Sequence, residues 1–295
     1  MVQTSPACHL WSNHFTGANG FRCRARPGPY PANMEDLAGM TGLHFLDPNP
    51  TGSPVVLLLH GLGADSASWI LQFPVLSQAE FRPIAIDAPG FGESPYDGRG
   101  WNPRRVAAQL ASLLGELGAG QAHIVGLSMG GVIAQQFALD YPQLIRRLVL
   151  VSTFSVLRPG DLNGWFYFFR RVAALLTLGL HAQAQVVAQR LFPNPQDQPL
   201  REMYIAAVRR ADPRAYRRAM FSLGLFDSRK RLGEIRTPTL VISGTGDTTV
   251  TPARQKLLVD GISNARQVVI PQAGHAVSVD QPEEFNRVLL DFLTE

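Results

Sequence analysis

The sequence predicts an α/β fold: a mostly parallel, doubly wound sheet with helices on both faces and a helical segment inserted late in the chain. Two observations carry this. Six short aliphatic and β-branched runs recur along the 295 residues, and they are continuous rather than alternating, as strands buried on both faces are. Between several of them lie segments with apolar residues at helical spacing. Strand–helix alternation is what a parallel sheet with crossover helices requires.

In chain order the strand candidates are residues 55–59, 83–87, 123–127, 148–151, 239–242 and 267–270. The segment 103–117 places Val106, Leu110, Leu113, Leu114 and Leu117 on one helical face, with Pro103 suited to a first turn. Segment 129–139 does the same with Val132, Ile133, Gln136 and Phe137, and segment 282–293 with Phe285, Val288, Leu289 and Phe292. Residues 157–232 break the alternation with helical-looking sequence that includes 203–208 and 216–225. No run of 18 apolar residues occurs, so no transmembrane helix is expected.

Composition narrows the function classes. Apolar residues make up 45% of the chain, which excludes a wholly disordered or collagenous protein, and two cysteines cannot form a disulfide framework. The net charge of +4 is unevenly spread: residues 1–33 carry three arginines and no acid, and 157–232 carry thirteen basic and five acidic side chains. The two remaining stretches, 34–156 and 233–295, are both net acidic. Residues 1–33 are rich in Pro, Gly, Asn and Ser without a period and read as a loosely attached tail, which also holds Cys8 and Cys23. Met34 is a candidate alternative start, and residues 34–295 read as the folded domain. No apolar run follows a basic start, so no secretory signal is expected. A scarcity of lysine beside arginine points to a high-GC bacterial source, and the expected location is cytoplasmic. The basic insert admits a solvated face, steering of an anionic substrate, or peripheral contact with anionic lipid. No nucleic-acid module is recognisable.

Chemistry in such sheets sits at the carboxyl ends of the strands. After 123–127 stands Gly126-Leu127-Ser128-Met129-Gly130-Gly131, a G-x-S-x-G sequence between a strand and a helix. A serine there is held in a sharp bend with its hydroxyl exposed, and Gly126 and Gly130 allow close passage of neighbouring elements. Serine needs a base. Gly274-His275 follows the last strand candidate and Gly244-Thr245-Gly246-Asp247 the one before it, giving the order Ser128, Asp247, His275 of strand-elbow hydrolases. After 55–59 comes His60-Gly61-Leu62-Gly63, whose glycine-rich turn leaves backbone N–H groups free. The expected oxyanion hole is the N–H of Leu62 and of Met129, supported by His60, Gly61 and Gly63. His60 is a rival base by composition. No metal or other cofactor is expected, because no second His, Asp or Glu stands at ligand spacing from His275 and Gly61 and Gly63 make only half of a dinucleotide fingerprint.

These residues, with Asp87-Ala88-Pro89-Gly90-Phe91-Gly92-Glu93-Ser94, carry a resemblance to the capped, esterase-like branch of the α/β-hydrolase family over about residues 42–295. The resemblance implies that insert 157–232 is a helical lid, with Trp165, Phe166 and Phe169 as candidate pocket residues or as packing for the lid itself. It implies that Asp87 shapes the pocket floor, while leaving it a rival for the acid. Relatives that open epoxides or remove halides use aspartate at the elbow, so Ser128 disfavours both activities. What remains is hydrolysis of a small-molecule carboxylic ester, with lactone or carbon–carbon bond hydrolysis and perhydrolysis as alternatives. A non-catalytic hydrolase-fold binding protein is the remoter reading, since such proteins usually damage parts that are all present here.

Overall fold

The computed structural model describes residues 42–157 and 179–295. The tail 1–33 with both cysteines, and Trp165, Phe166 and Phe169, lie outside the described residues. Seven strands are present among the described residues: β1 (Phe45–Leu46), β2 (Val55–Leu59), β3 (Arg82–Ile86), β4 (Ala122–Leu127), β5 (Ile145–Val151), β6 (Thr239–Gly244) and β7 (Ala265–Ile270). They form one sheet in the order β1-β3-β2-β4-β5-β6-β7. All neighbours pair in parallel except β1, which runs antiparallel to β3 with Phe45 opposite Ile86 and Leu46 opposite Ala85.

Strands β2 to β6 are buried on both faces over their apolar runs, while the edge strands β1 and β7 are largely half-exposed. Along β2, Val55, Leu57 and Leu59 belong to one core, and Val56 and Leu58 to the other. This is the two-residue alternation of a strand with apolar partners on each side. The first core is closed by α2 (Pro103–Glu116) and α3 (Met129–Asp140), through Val106, Leu110 and Leu113 and through Val132, Ile133 and Phe137. The second is closed by α1 (Phe73–Gln78) and α9 (Pro282–Thr294), through Leu76 and through Phe285, Leu289 and Phe292. Leu57 and Leu58 are wholly buried, and truncating either to alanine should cost about 2–5 kcal/mol.

Between β5 and β6 the described chain contains α4 (Gly179–Leu191), α5 (Gln198–Arg210) and α6 (Pro213–Leu225). Each of the last two begins with proline at its first or second position, and Asp212 caps α6 by accepting from the N–H groups of Arg214 and Ala215. Their apolar faces join the first core through Val208, Ala215, Tyr216 and Leu223. After β6 come α7 (Pro252–Gly261) and the short α8 (Val277–Asp280). Among the described residues no helix is long and apolar enough to cross a membrane.

The structure extends the sequence reading in three places. The strand β1 has two residues, too few for any period to register. The helix expected at 203–208 runs over Gln198–Arg210; its first turn, Gln198-Pro199-Leu200-Arg201, carries a single large apolar residue and so shows no helical spacing. The helices α1 and α7 were not foreseen: α1 has six residues, and α7 buries only Gln255 and Leu258.

Candidate active site

Because β2 to β7 run parallel, their carboxyl ends share one edge of the sheet, and the candidate site residues among the described ones stand at or just beyond those ends. Ser128 joins β4 to α3 with φ +54° and ψ −108°. A non-glycine residue at positive φ is strained, and it persists only where its surroundings impose it. Here they do. Ser128 N–H donates to Val151 O at 2.8 Å, and Thr153 Oγ1 donates to Ser128 O at 2.7 Å. The flanking glycines are sterically required: a Cβ on Gly126 would stand 2.3 Å from Gly130 O, and one on Gly130 2.1 Å from Leu59 O. The bend leaves Ser128 half-buried at the N-terminus of α3, where backbone N–H groups lack intrahelical acceptors and favour developing negative charge.

Asp247 and His275 are brought into direct contact. His275 Nδ1 lies 2.8 Å from Asp247 Oδ2, and both side chains are almost fully buried. Asp247 Oδ1 accepts from the N–H groups of Thr249 and Val250, both at 2.8 Å. A carboxylate that already accepts two backbone donors offers His275 an acceptor, so His275 carries its proton on Nδ1 and leaves Nε2 with the lone pair. The two loops are stitched together by Gly246 N–H on Ala273 O (2.8 Å) and Gln272 N–H on Thr245 Oγ1 (3.0 Å).

The turn after β2 lies against the elbow: a Cβ on Gly61 would meet Leu127 Cδ2 at 2.9 Å and Ser128 Cβ at 3.7 Å. His60 is buried beneath it. Its Nε2 accepts from Ala88 N–H at 3.0 Å, so its proton sits on Nδ1, which donates to Gly61 O at 2.8 Å. Both ring nitrogens are thereby occupied, which fits support rather than base chemistry. In a trans peptide the C=O and N–H point opposite ways, so the Leu62 N–H is aimed away from the His60 ring. From the insert, Tyr204 Oη donates to Leu62 O at 3.1 Å, and Arg210 pairs with Asp65.

The family model for the alpha/beta hydrolase fold matches residues 54–282. The chain belongs to the α/β-hydrolase fold family. A protein of Stutzerimonas stutzeri named "Putative carbamate hydrolase RutD" is 34% identical over 257 residues, covering 82% of this chain and 92% of its own. The protein of the same name from Variovorax paradoxus is 34% identical over 259 residues, covering 85% and 96%. Among solved structures, the enol-lactonase of Burkholderia xenovorans superposes with a TM-score of 0.77 at 28% identity, covering 86% of this chain and 96% of that one. A thermophilic esterase from Thermogutta terrifontis gives 0.75 at 30% identity, covering 85% and 93%. Hydrolase chemistry is what these likenesses support.

In this α/β-hydrolase Asp87 is not near His275 through any hydrogen bond; it pairs with His44. His44 Nδ1 lies 2.7 Å from Asp87 Oδ2, and the carboxylate also accepts from Ser66 N–H (2.7 Å) and Glu93 N–H (2.9 Å). Burial works to raise the Asp87 carboxyl, but His44 and these N–H donors outweigh it and hold the group at about 2. The hydrogen bond to Asp87 in turn raises His44. Ser94 Oγ donates to Asp87 O at 2.6 Å and accepts from His44 N–H at 2.8 Å, so the whole 87–94 turn is braced on this pair.

Among the insert's described basic residues, Arg214 pairs with Asp212 and Arg229 with Asp227. Arg210 with Asp65 and Arg231 with Asp140 reach the sheet-bearing part of the hydrolase, and Arg190 donates to Thr248 O beside Asp247 at 2.8 Å. Sequence reasoning missed His44, Tyr204, Arg210 and Arg190, because each acts on a partner dozens of residues away and no local spacing marks it. Among the described residues no three His, Cys, Asp or Glu side chains gather in a set able to hold a metal ion.

Proposed function

We propose that this protein is a serine hydrolase that cleaves small carboxylic esters through an acyl-enzyme intermediate. The observation that carries the reading is the buried Asp247–His275 hydrogen bond on the same sheet edge as a serine at positive φ. Ser128 Oγ attacks the ester carbonyl while His275 Nε2 takes its proton, and Asp247 holds the ring and stabilises its charged form. The N–H groups of Leu62 and Met129 receive the oxyanion. His275 then returns the proton to the departing alcohol, and water activated by the same nitrogen releases the acid. Helices α4, α5 and α6 serve as the cap, and their contacts on Leu62, Asp65 and Thr248 tie it to the oxyanion and acid loops.

A second reading is favoured by the relatives named as carbamate hydrolases, and the enol-lactonase likeness adds lactones. Both substrates present an acyl carbonyl to the same serine. They differ in the acyl-enzyme: a carbamoyl group donates nitrogen electron density to its carbonyl and is released more slowly by water. The test is labelling by a fluorophosphonate probe, followed by a panel of nitrophenyl esters, lactones and carbamates. Labelling of Ser128 is expected, with ester turnover lost by about 10⁶-fold in Ser128→Ala. An unlabelled protein, or an S128A variant that still turns esters over, would overturn the assignment. A burst followed by slow release on carbamates but not esters would favour the second reading.

A further inference from the structure

Gly274, the residue before His275, donates its N–H to Asp280 Oδ2 at 2.8 Å. Asp280 closes α8, and its own N–H returns to Ala276 O at 2.9 Å. His275 is therefore carried on a seven-residue stretch whose two ends are bonded to each other through one carboxyl group. That group is half-buried and makes no ion pair with any Arg or Lys among the described residues. The titratable groups that face it are Asp197, from the segment between α4 and α5, and His275 and Asp247 of the site. Proposed catalysis leaves this carboxyl without a task, although a half-buried, unpaired carboxyl costs stability.

We propose that Asp280 is a positioning residue for His275, holding the histidine turn through the Gly274 N–H. Burial lifts the Asp280 carboxyl to about 6, against the lowering effect of the Gly274 N–H and with Asp197 adding to the rise. Above that value Asp280 is charged and faces the carboxyl groups of Asp197 and Asp247 without an Arg or Lys partner among the described residues. Below it, Asp280 is neutral and still shares a hydrogen bond with the turn. The inference rests on His275 being the base, so its test needs one readout free of catalysis.

That readout is thermal stability. The folded-state value of Asp280 stands above the ordinary carboxylate value of 3.8, so this group's contribution to stability is present at low pH and lost as pH rises through about 6. Asp280→Asn removes the loss and keeps an acceptor oxygen. The Tm of D280N relative to the unmodified protein should climb between pH 4 and pH 7, and a difference independent of pH would overturn the placement of the charge. In activity, Asp280→Ala should lower kcat by about 10- to 100-fold at little-changed KM. The asparagine variant should recover much of that loss. A kcat in D280A equal to the unmodified protein's, or a D280N variant that recovers none of the loss, overturns the positioning role. If His275→Ala keeps its activity, the base assignment falls by itself, and the stability profile still judges Asp280.

Discussion

The Asp247–His275 pair and the Asp87–His44 pair stand at the same edge of the sheet, on β6 two strands to one side of β4 and on β3 two strands to the other. Their contacts are nearly the same, 2.8 and 2.7 Å from imidazole Nδ1 to carboxylate Oδ2, and each aspartate also accepts two backbone N–H groups. The second ring nitrogen separates them. In His44 it faces Glu93 at 3.5 Å and the side chain is 32% exposed, whereas the His275 side chain is 9% exposed. Two acids around one ring stabilise its cation, and an imidazolium has no lone pair to lend. A buried Asp–His pair is thus no signature of catalysis by itself; the sense in which the outer nitrogen is used decides.

The largest expected difference between the pairs is in rate. Asp247→Asn should reduce kcat by about 10⁴-fold with little change in Tm, because the amide presents the wrong tautomer to the base. Asp87→Asn should do the reverse. It removes a buried charge that His44, Ser66 N–H and Glu93 N–H all engage, and should cost about 2–3 kcal/mol in urea unfolding with a much smaller loss of kcat. If D87N is the variant that loses its rate at full stability, the roles of the two pairs are exchanged. A smaller effect sharpens the position of the oxyanion turn, which β2 places between the two pairs. Tyr204→Phe keeps the ring and removes only the hydroxyl on Leu62 O, so kcat/KM should drop by a few-fold, about 1 kcal/mol, as one hydrogen bond allows.

The asymmetry between the pairs also explains what was readable from sequence. Ser128, Asp247 and His275 each follow a strongly apolar run, and the glycines around them mark where backbone passes backbone, so strand ends and glycines located them together. The parallel sheet was legible for the same reason: a run such as Val55–Leu59 has no polar side and admits only burial on both faces. His44 had no such marker. It precedes a two-residue strand, and its partner lies 43 residues on. Asp87 sits in a recognisable turn whose motif names its place and not its partner, so nothing local to it marks the His44 contact. Tyr204 and Arg210 look like ordinary positions of an amphipathic helix, and only the tertiary fold brings them to Leu62 and Asp65.

The mildest effect separates the pairs by pH. Asp87 is held at about 2 against an ordinary value of 3.8, so its contribution to stability is present above about pH 4 and lost as pH falls through about 2. His44 is raised above 6.5 by the Asp87 hydrogen bond, so its contribution is complete below that value and fades as pH rises through its folded-state value. The pair therefore stabilises the 87–94 turn most between about pH 4 and pH 6.5, and His44→Gln should lower Tm by a few degrees there and by less at pH 8 or 9. A Tm deficit in H44Q that stays constant from pH 5 to pH 9 would mean that His44 acts as a neutral hydrogen-bond donor. The two pairs would then differ only in where their outer nitrogen points, and not in charge.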